Sequence, residues 1–269
     1  MAWPPGVPVA GGLARHRYLI LQLGKRSFAA RHAENLLGWW WSLISTGVQL
    51  ALFWFIFSRV FGIRIADPPD VGFGVYLMAG LVPFVAASDA LSRAAAVFRR
   101  NTALVQRVRF PLEALVLGDL LGTVAYHLLP LGAVAAYCAL TGHIDVGRLG
   151  WTALGGAILV LWIVGAGLLL SVVGAVLPDI DHVLTLGLQV LFYAAPIVYS
   201  LEMLPAGWLR RAVLANPLTP MIQLLRAGLI GATPPSPLAV GALVGVGCAL
   251  LWVGAAALRR MRWRIPDLL

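Results

Sequence analysis

The sequence alternates between long apolar stretches and short segments that carry most of its charge. An α-helix of about 20 apolar residues is long enough to cross the hydrocarbon core of a bilayer, which is about 30 Å thick. Such a helix also satisfies its own backbone hydrogen bonds, as a segment surrounded by lipid must. The sequence therefore predicts an all-α integral membrane protein with six transmembrane helices, at residues 38–61, 73–97, 114–140, 151–177, 183–200 and 238–258.

The composition agrees with a membrane protein. Hydrophobic residues make up 60% of the 269 residues and charged residues only 12%, whereas about one quarter of a soluble domain is charged. The net charge of +9 comes from arginines beside the apolar stretches, where they orient the chain and contact membrane lipid, so no nucleic-acid binding is expected. Cys138 and Cys248 lie inside apolar stretches, far from a second cysteine, so no metal site is expected there. No repeat is found, and we expect one transmembrane domain over residues 1–269.

The distribution of lysine and arginine predicts the orientation. The segment 13–35 carries five such residues, the segment 98–113 four and the tail 259–264 four, against six on the predicted outer side. Because basic residues favour the cytoplasmic side, both termini are expected there. The mixture of basic and apolar residues in 13–35 predicts an amphipathic helix on the membrane surface. The alternative is a disordered basic tail, which the many apolar residues disfavour.

The segment 98–113 is the longest basic interruption between two apolar blocks. Residues 102–108 predict a helix of about two turns, which is too short to be stable without a docking partner. Pro111 ends this helix and biases Phe110 away from helical geometry. The alternative is a solvated loop that only fixes the topology.

Prolines change the pattern near the predicted outer side. Pro196 predicts a break near the outer end of the fifth span. Five prolines within residues 201–236, and Pro237 directly after them, divide this segment into two apolar pieces, 208–214 and 218–230, which are too short to span. We expect a short helical hairpin that lies on the outer leaflet or dips into it, where surrounding protein shields the broken backbone.

Candidates for chemistry are few. The only lysine is Lys25, and Arg26 follows it, so the chain has no P-loop and any ATPase must be another subunit. Asp179, Asp181 and His182 are the one cluster that could bind a metal or transfer protons. The favoured alternative is that these carboxylates cap the following helix.

Four ionisable residues fall inside the predicted spans: Asp89, Arg93, Asp119 and His127. A charge costs about 2.5–3.5 kcal/mol at mid-membrane, so such residues tend to face the protein interior. Asp89 and Arg93 are four residues apart on one helical face and are expected to neutralise each other.

Five phrases, in order along the chain, resemble those of the type-2 ABC exporter permeases that move lipid-linked polysaccharides, namely the O-antigen, capsule and teichoic acid exporters. The phrases are NLLGWWWSL at 35–43, VRFPLE at 108–113, DIDH at 179–182, APIVY at 195–199 and NPLT at 216–219. The sequence departs from the residues common in that family at Ser45-Thr46, Leu112, Pro178 and Gln223.

The resemblance implies a permease of the bacterial inner membrane that acts as a homodimer with two copies of a separate ATPase. ATP and Mg²⁺ would bind to the ATPase, with no cofactor and no catalytic residue in this chain, and the polysaccharide would cross between the permeases. An exporter of a drug or another lipid is an alternative. A membrane-embedded enzyme that uses Asp179, Asp181 and His182 is a less favoured one.

The resemblance also implies roles for particular residues. The ATPase-coupling candidates are Leu104, Arg107, Arg109, Phe110 and Pro111. The candidates for lateral substrate access and for the channel are Leu37, Gly38, Trp39, Trp41, Tyr76, Phe84, Tyr193 and Tyr199. The outer gate candidates are Trp208, Asn216, Pro217 and Arg226.

Overall fold

The fold is a helical bundle. The computed structural model describes residues 16–32, 36–63, 65, 67–68, 71–107, 110–144 and 146–269, and the regular secondary structure in these ranges is helical throughout. The helices are α1 (Arg17–His32), α2 (Trp40–Trp54), α3 (Phe73–Arg100), α4 (Thr102–Arg107), α5 (Leu112–Leu140), α6 (Leu149–Val176), α7 (Ile180–Tyr193), α8 (Trp208–Ala215), α9 (Leu218–Leu229), α10 (Pro237–Met261) and α11 (Ile265–Leu268). A π-helical turn, Phe55–Val60, extends α2.

Five helices in the described part of the chain are long and apolar enough to cross a membrane. They are Trp40–Val60, Phe73–Arg100, Leu112–Leu140, Val146–Val176 and Pro237–Met261. They coincide with the first four and the last of the predicted spans. The all-helical membrane architecture is therefore confirmed, whereas the count of six spans is not.

The fifth predicted span, 183–200, is a shorter helix followed by turns. α7 has 14 residues and ends at Tyr193, and residues 194–199 form turns around Pro196, which lacks a backbone N–H. Nevertheless, this segment runs the length of α3. Asp181 pairs with Arg99 at one end of α3, and Tyr199 accepts a hydrogen bond from Tyr76 near the other. At about 1.5 Å per residue, Tyr76 and Arg99 lie roughly 34 Å apart, which is more than the thickness of a bilayer core.

α6 is the central helix of the bundle, and it packs against α3, α9 and α10. Glycines allow the closest approach between α6 and α10. A Cβ atom on Gly254 would lie 2.6 Å from the carbonyl oxygen of Gly165. A Cβ atom on Gly165 would lie 2.6 Å from the backbone nitrogen of Leu251. The two backbones therefore touch, a packing mode typical of membrane helices.

α1 packs along α5. Here too the contact depends on glycine, because a Cβ atom on Gly122 would lie 2.7 Å from the carbonyl oxygen of Gly24. The predicted surface helix 13–35 is thus a helix from Arg17 to His32 that is fixed to a span, while residues 13–15 and 33–35 lie outside the described residues.

We predict that Gly254→Leu destabilises the bundle by about 1–3 kcal/mol, the usual cost of overpacking a filled contact. The measurement is thermal unfolding of the detergent-purified protein. Gly245→Leu is the matched control on the same helix, because nothing lies within 4 Å of a Cβ atom there. Equal melting temperatures for the two variants would contradict the close α6–α10 contact.

Candidate functional site

The short helix α4 lies between α3 and α5 and has one buried face and one open face. Asn101 ends α3 through its backbone N–H, which donates to the carbonyl of Phe98. Val105 of α4 is buried in the apolar core, whereas Gln106 and Arg107 are exposed. α4 is therefore docked on its own chain and presents polar side chains on its outer side.

Of the remaining coupling candidates, Leu104 lies in α4, and Phe110 and Pro111 follow it in the chain. Leu104 and Phe110 are partly buried and pack against the same apolar cluster as Val105. Pro111 precedes α5 as its N-terminal flanking residue. Arg109 lies outside the described residues.

An ion-pair network joins α1, α3 and α5; its members are Arg31, Asp89, Arg93, Arg100, Asp119 and His127. Asp119 is one centre of the network. Its Oδ2 accepts a hydrogen bond from Arg100 Nη2 at 2.9 Å, and its Oδ1 accepts one from Ser27 Oγ at 2.7 Å. Arg93 lies 3.5 Å from Asp119 Oδ1. One carboxylate thus binds groups from α1 and from the end of α3.

Asp89 is the second centre. Its Oδ2 lies 2.8 Å from Arg31 Nη2 and 2.8 Å from His127 Nε2. Arg31 also donates to Thr123 Oγ1. The prediction that Asp89 and Arg93 neutralise each other is wrong, because each pairs with a neighbouring helix instead. Close packing of α1 and α5 brings these partners onto the polar face of α3.

The burial of the network explains why its charges are paired. The side chains of Asp119 and Arg31 are 7% and 8% exposed, and a buried charge without a partner is strongly destabilising. Burial lowers the pKa of the Arg31 guanidinium from its ordinary value, and the Asp89 carboxylate opposes that shift. Arg100 is the last residue of α3. The network therefore connects the last residue of α3, two positions before α4, with α1.

The turn before α2, where lateral access was predicted, is attached to the same helices. Gly38 has a φ of 51°, a left-handed conformation that favours glycine. Trp39 donates its indole N–H to the carbonyl of Tyr126 at 3.1 Å and contacts Phe28 edge-on. The Arg31 guanidinium lies 4.5 Å from the centre of the Tyr126 ring. Leu37 and Trp41 are exposed beside this turn.

A buried arginine contacts the turns that follow the C-terminal end of α7. Arg226 of α9 donates to the carbonyls of Tyr76, Pro196 and Ile197, and its guanidinium lies 3.4 Å from the centre of the Tyr76 ring. Burial lowers the pKa of Arg226 to about 10, so it stays cationic at neutral pH. A Cβ atom on Gly80 would lie 2.5 Å from its Nη2. Arg226, expected at the outer leaflet, is thus a core residue that binds the broken backbone.

The other gate candidates differ in exposure. Asn216 is buried, accepts from the backbone N–H of Leu218 at the start of α9 and donates to the carbonyl of Leu191 near the end of α7. Pro217 is the residue before α9. Trp208, at the start of α8, is 79% exposed. Asn216 therefore supports Arg226 at the same helix end, while Trp208 is free of the core.

The aromatic channel candidates gather around the end of α7. The Phe84 and Phe192 rings are 5.2 Å apart, and the Tyr193 ring meets Phe192 edge-on. Tyr199 donates its hydroxyl to the carbonyl of Tyr193. Tyr76 is buried within the chain, whereas Tyr193 is half-exposed. Tyr193 is therefore the candidate in this group that presents its ring to the surface.

The acidic turn before α7 has a structural partner. Asp181 Oδ2 lies 2.6 Å from Arg99 Nη2, and Arg99 also donates to the carbonyl of Gly174. The Asp179 side chain makes no capping hydrogen bond to α7, so the predicted carboxylate cap is wrong there. Within the described ranges, no group of three His, Cys, Asp or Glu residues is arranged to hold a metal ion. Asp181 instead fixes this turn to the end of α3.

Residues 18–230 match the family model of the ABC-2 type transporter. The chain belongs to the ABC-2 type transporter family. Among curated proteins it is 21% identical to the O-antigen export system permease protein RfbA of Klebsiella pneumoniae, over 93% of this chain and 95% of that protein. It is 24% identical to the polysialic acid transport protein KpsM of Escherichia coli, over 87% and 90%. It is 27% identical to the inner membrane transport permease YadH of Escherichia coli, over 72% and 77%.

We predict that Asp119→Asn destabilises this ABC-2 family protein by about 1–3 kcal/mol, because three cationic or hydroxyl donors lose a buried charged acceptor. The matched control is Asp181→Asn. Its ion pair with Arg99 is about half exposed at the carboxylate, and we expect less than about 1 kcal/mol there. Thermal unfolding in detergent measures both. A larger effect at Asp181 than at Asp119 would contradict a central role for the network.

Proposed function

We propose that this chain is the permease subunit of an ATP-driven exporter of lipid-linked polysaccharide in the bacterial inner membrane. The family supports a transport subunit, and ABC-2 permeases act with a partner ATPase. Two of the relatives are named for O-antigen export and polysialic acid transport, and each alignment covers most of both chains. ATP and Mg²⁺ then belong to the ATPase, and this chain supplies the path.

The observation that carries the proposal is the geometry of α4. Its apolar side is buried, and its exposed side holds Gln106 and Arg107. A movement of the ATPase can shift the permease only through a segment that is packed against both. α4 is packed on the permease and leaves Gln106 and Arg107 open to a partner. Arg100, at the end of α3, connects the chain just before α4 to Asp119 of α5. We infer that α4 docks in a cleft of the ATPase.

The exposed apolar helices favour assembly of two copies. α2 has only Ser42 and Thr46 buried, while Val48, Leu52 and Phe55 are exposed. A span that packs so little on its own chain has surface to spare for a partner helix or for lipid. We infer a homodimer with two ATPase copies, with the polysaccharide between the permeases.

The access turn supports the choice of an amphiphilic substrate. Leu37 and Trp41 are exposed next to Trp39, which is fixed to α1 and α5. Exposed tryptophans suit the boundary between lipid and water. We infer that a lipid-linked glycan enters from the inner leaflet here, with both termini of the chain on the cytoplasmic side.

We predict that Arg107→Glu lowers the amount of ATPase that co-purifies with the permease by about tenfold, which corresponds to about 1.4 kcal/mol. The reversed charge would face the ATPase. In a strain without the native gene, this variant should also fail to restore the surface polysaccharide that deletion removes. The readouts are the ratio of ATPase to permease after purification from membranes and the amount of surface glycan.

Arg210→Glu is the control, because Arg210 is exposed on α8, a helix of the predicted outer hairpin. It should keep both the ATPase and the surface glycan. Loss of ATPase binding in both variants, or in neither, would contradict the role of α4. An unchanged surface glycan after deletion of the gene would favour export of a drug or another lipid.

A further inference from the structure

The segment 262–269, which follows α10, folds back against α4. Its short helix α11 contacts both α4 and α6. Ile265 is completely buried. It belongs to the same apolar cluster as Val105 of α4, together with Phe98 and Leu258. The inner face of α4 is therefore covered by residues that lie about 160 positions later in the sequence.

α4 needs such a contact. A helix of six residues has too few backbone hydrogen bonds to offset the cost of nucleation. The hydroxyl of Thr102 donates to the carbonyl of Arg99, which fixes the start of α4 to α3. Val105 is the buried residue of α4. The position of the rest of the helix therefore depends on what packs around Val105.

We propose that the segment 262–269 supports α4 from its buried side, and that Ile265 positions α4 for contact with the ATPase. We call this supporting segment the seat. This inference rests on the proposed function, because it assumes that α4 is the docking helix. Leu269 of this segment packs against the same cluster, as does Met261 at the end of α10. The docking surface for the ATPase is then formed by α4 together with the segment beneath it.

The seat gives α4 a second mechanical connection. Through Arg100 and Asp119, α4 is linked to α3 and α5. Through Ile265 it is linked to α10 and α6, because Leu258 of α10 shares its cluster and α11 contacts α6. A displacement of α4 by the ATPase would therefore move α3 and α5 through one contact and α10 and α6 through the other. Without the seat, α4 would tilt about its attachment to α3, and the displacement would not be transmitted.

The first test compares Ile265→Asp with Leu268→Asp in the full chain, co-expressed with its ATPase. Ile265 is buried and Leu268 is 50% exposed on the same short helix. We expect Ile265→Asp to retain about tenfold less ATPase at an equal amount of permease in the membrane, which corresponds to about 1.4 kcal/mol. Leu268→Asp and the conservative Ile265→Leu should retain the normal amount. Normal retention by Ile265→Asp would overturn the proposal.

A second test does not depend on a disruptive change. Val105→Cys and Ile265→Cys are combined in a chain that carries Cys138→Ala and Cys248→Ser, since cysteine behaves as a small apolar residue. A short thiol-specific cross-linker should join the two positions, and the cross-linked permease should still hold the ATPase. Absence of the cross-link, or loss of the ATPase on cross-linking, would overturn the seat.

The two proposals fail in different ways. If Arg107→Glu lowers ATPase retention and Ile265→Asp does not, the seat is wrong and the coupling role of α4 stands. If neither Arg107→Glu nor Ile265→Asp changes retention, α4 is not the docking helix and the proposed function fails with it.

Discussion

Two aspartates, one buried and one partly buried, bind the cations that hold α1, α3 and α5 together. The side chain of Asp119 on α5 is 7% exposed and that of Asp89 on α3 is 33% exposed, and a charge removed from water without a partner is strongly destabilising. Arg31 reaches Asp89 from α1, and Arg100 reaches Asp119 from the end of α3. α1 is therefore held against the spans, and the C-terminal end of α3, just before α4, is held against α5. If α4 docks to the ATPase as proposed, these pairs would connect its displacement to α1, whose Phe28 touches Trp39 at the proposed access turn.

The C-terminal end of α7 is stabilised by hydrogen bonds to backbone carbonyls instead of by ion pairs. α7 ends at Tyr193, and the turns that follow expose carbonyl groups that have no helical partner. Arg226 donates to two of them, and Asn216 donates to the carbonyl of Leu191. A broken helix is tolerated in a membrane where such protein groups satisfy its backbone. α7, α9 and the start of α3 are thus tied together, so a movement of this region is expected to involve all three.

Apolar length predicted the helical membrane fold and the positions of five spans, because that signal is local in sequence. The short helix α4 and the break at Pro196 were also readable from the sequence. In both cases a proline, Pro111 or Pro196, interrupts helical geometry in its own part of the chain. Pairing between helices was not, because the i,i+4 spacing of Asp89 and Arg93 fits an internal pair as well as it fits partners on α1 and α5. Asp119, Thr123 and His127 recur every four residues, which is a polar stripe that predicts a buried contact but not its partner. The burial of Arg226 was not readable either, because sequence cannot show that Gly80 leaves room for its side chain in the core.

The central claim is that α4 lies on the cytoplasmic side and the turn between α5 and α6 on the outer side. The most direct test is thiol labelling in a chain without its native cysteines, with Gln106→Cys in one variant and Val146→Cys in the other. Both native side chains are exposed. A reagent that cannot cross the membrane should label position 146 in intact cells and position 106 only after the membrane is opened. Labelling of position 106 in intact cells would contradict the account.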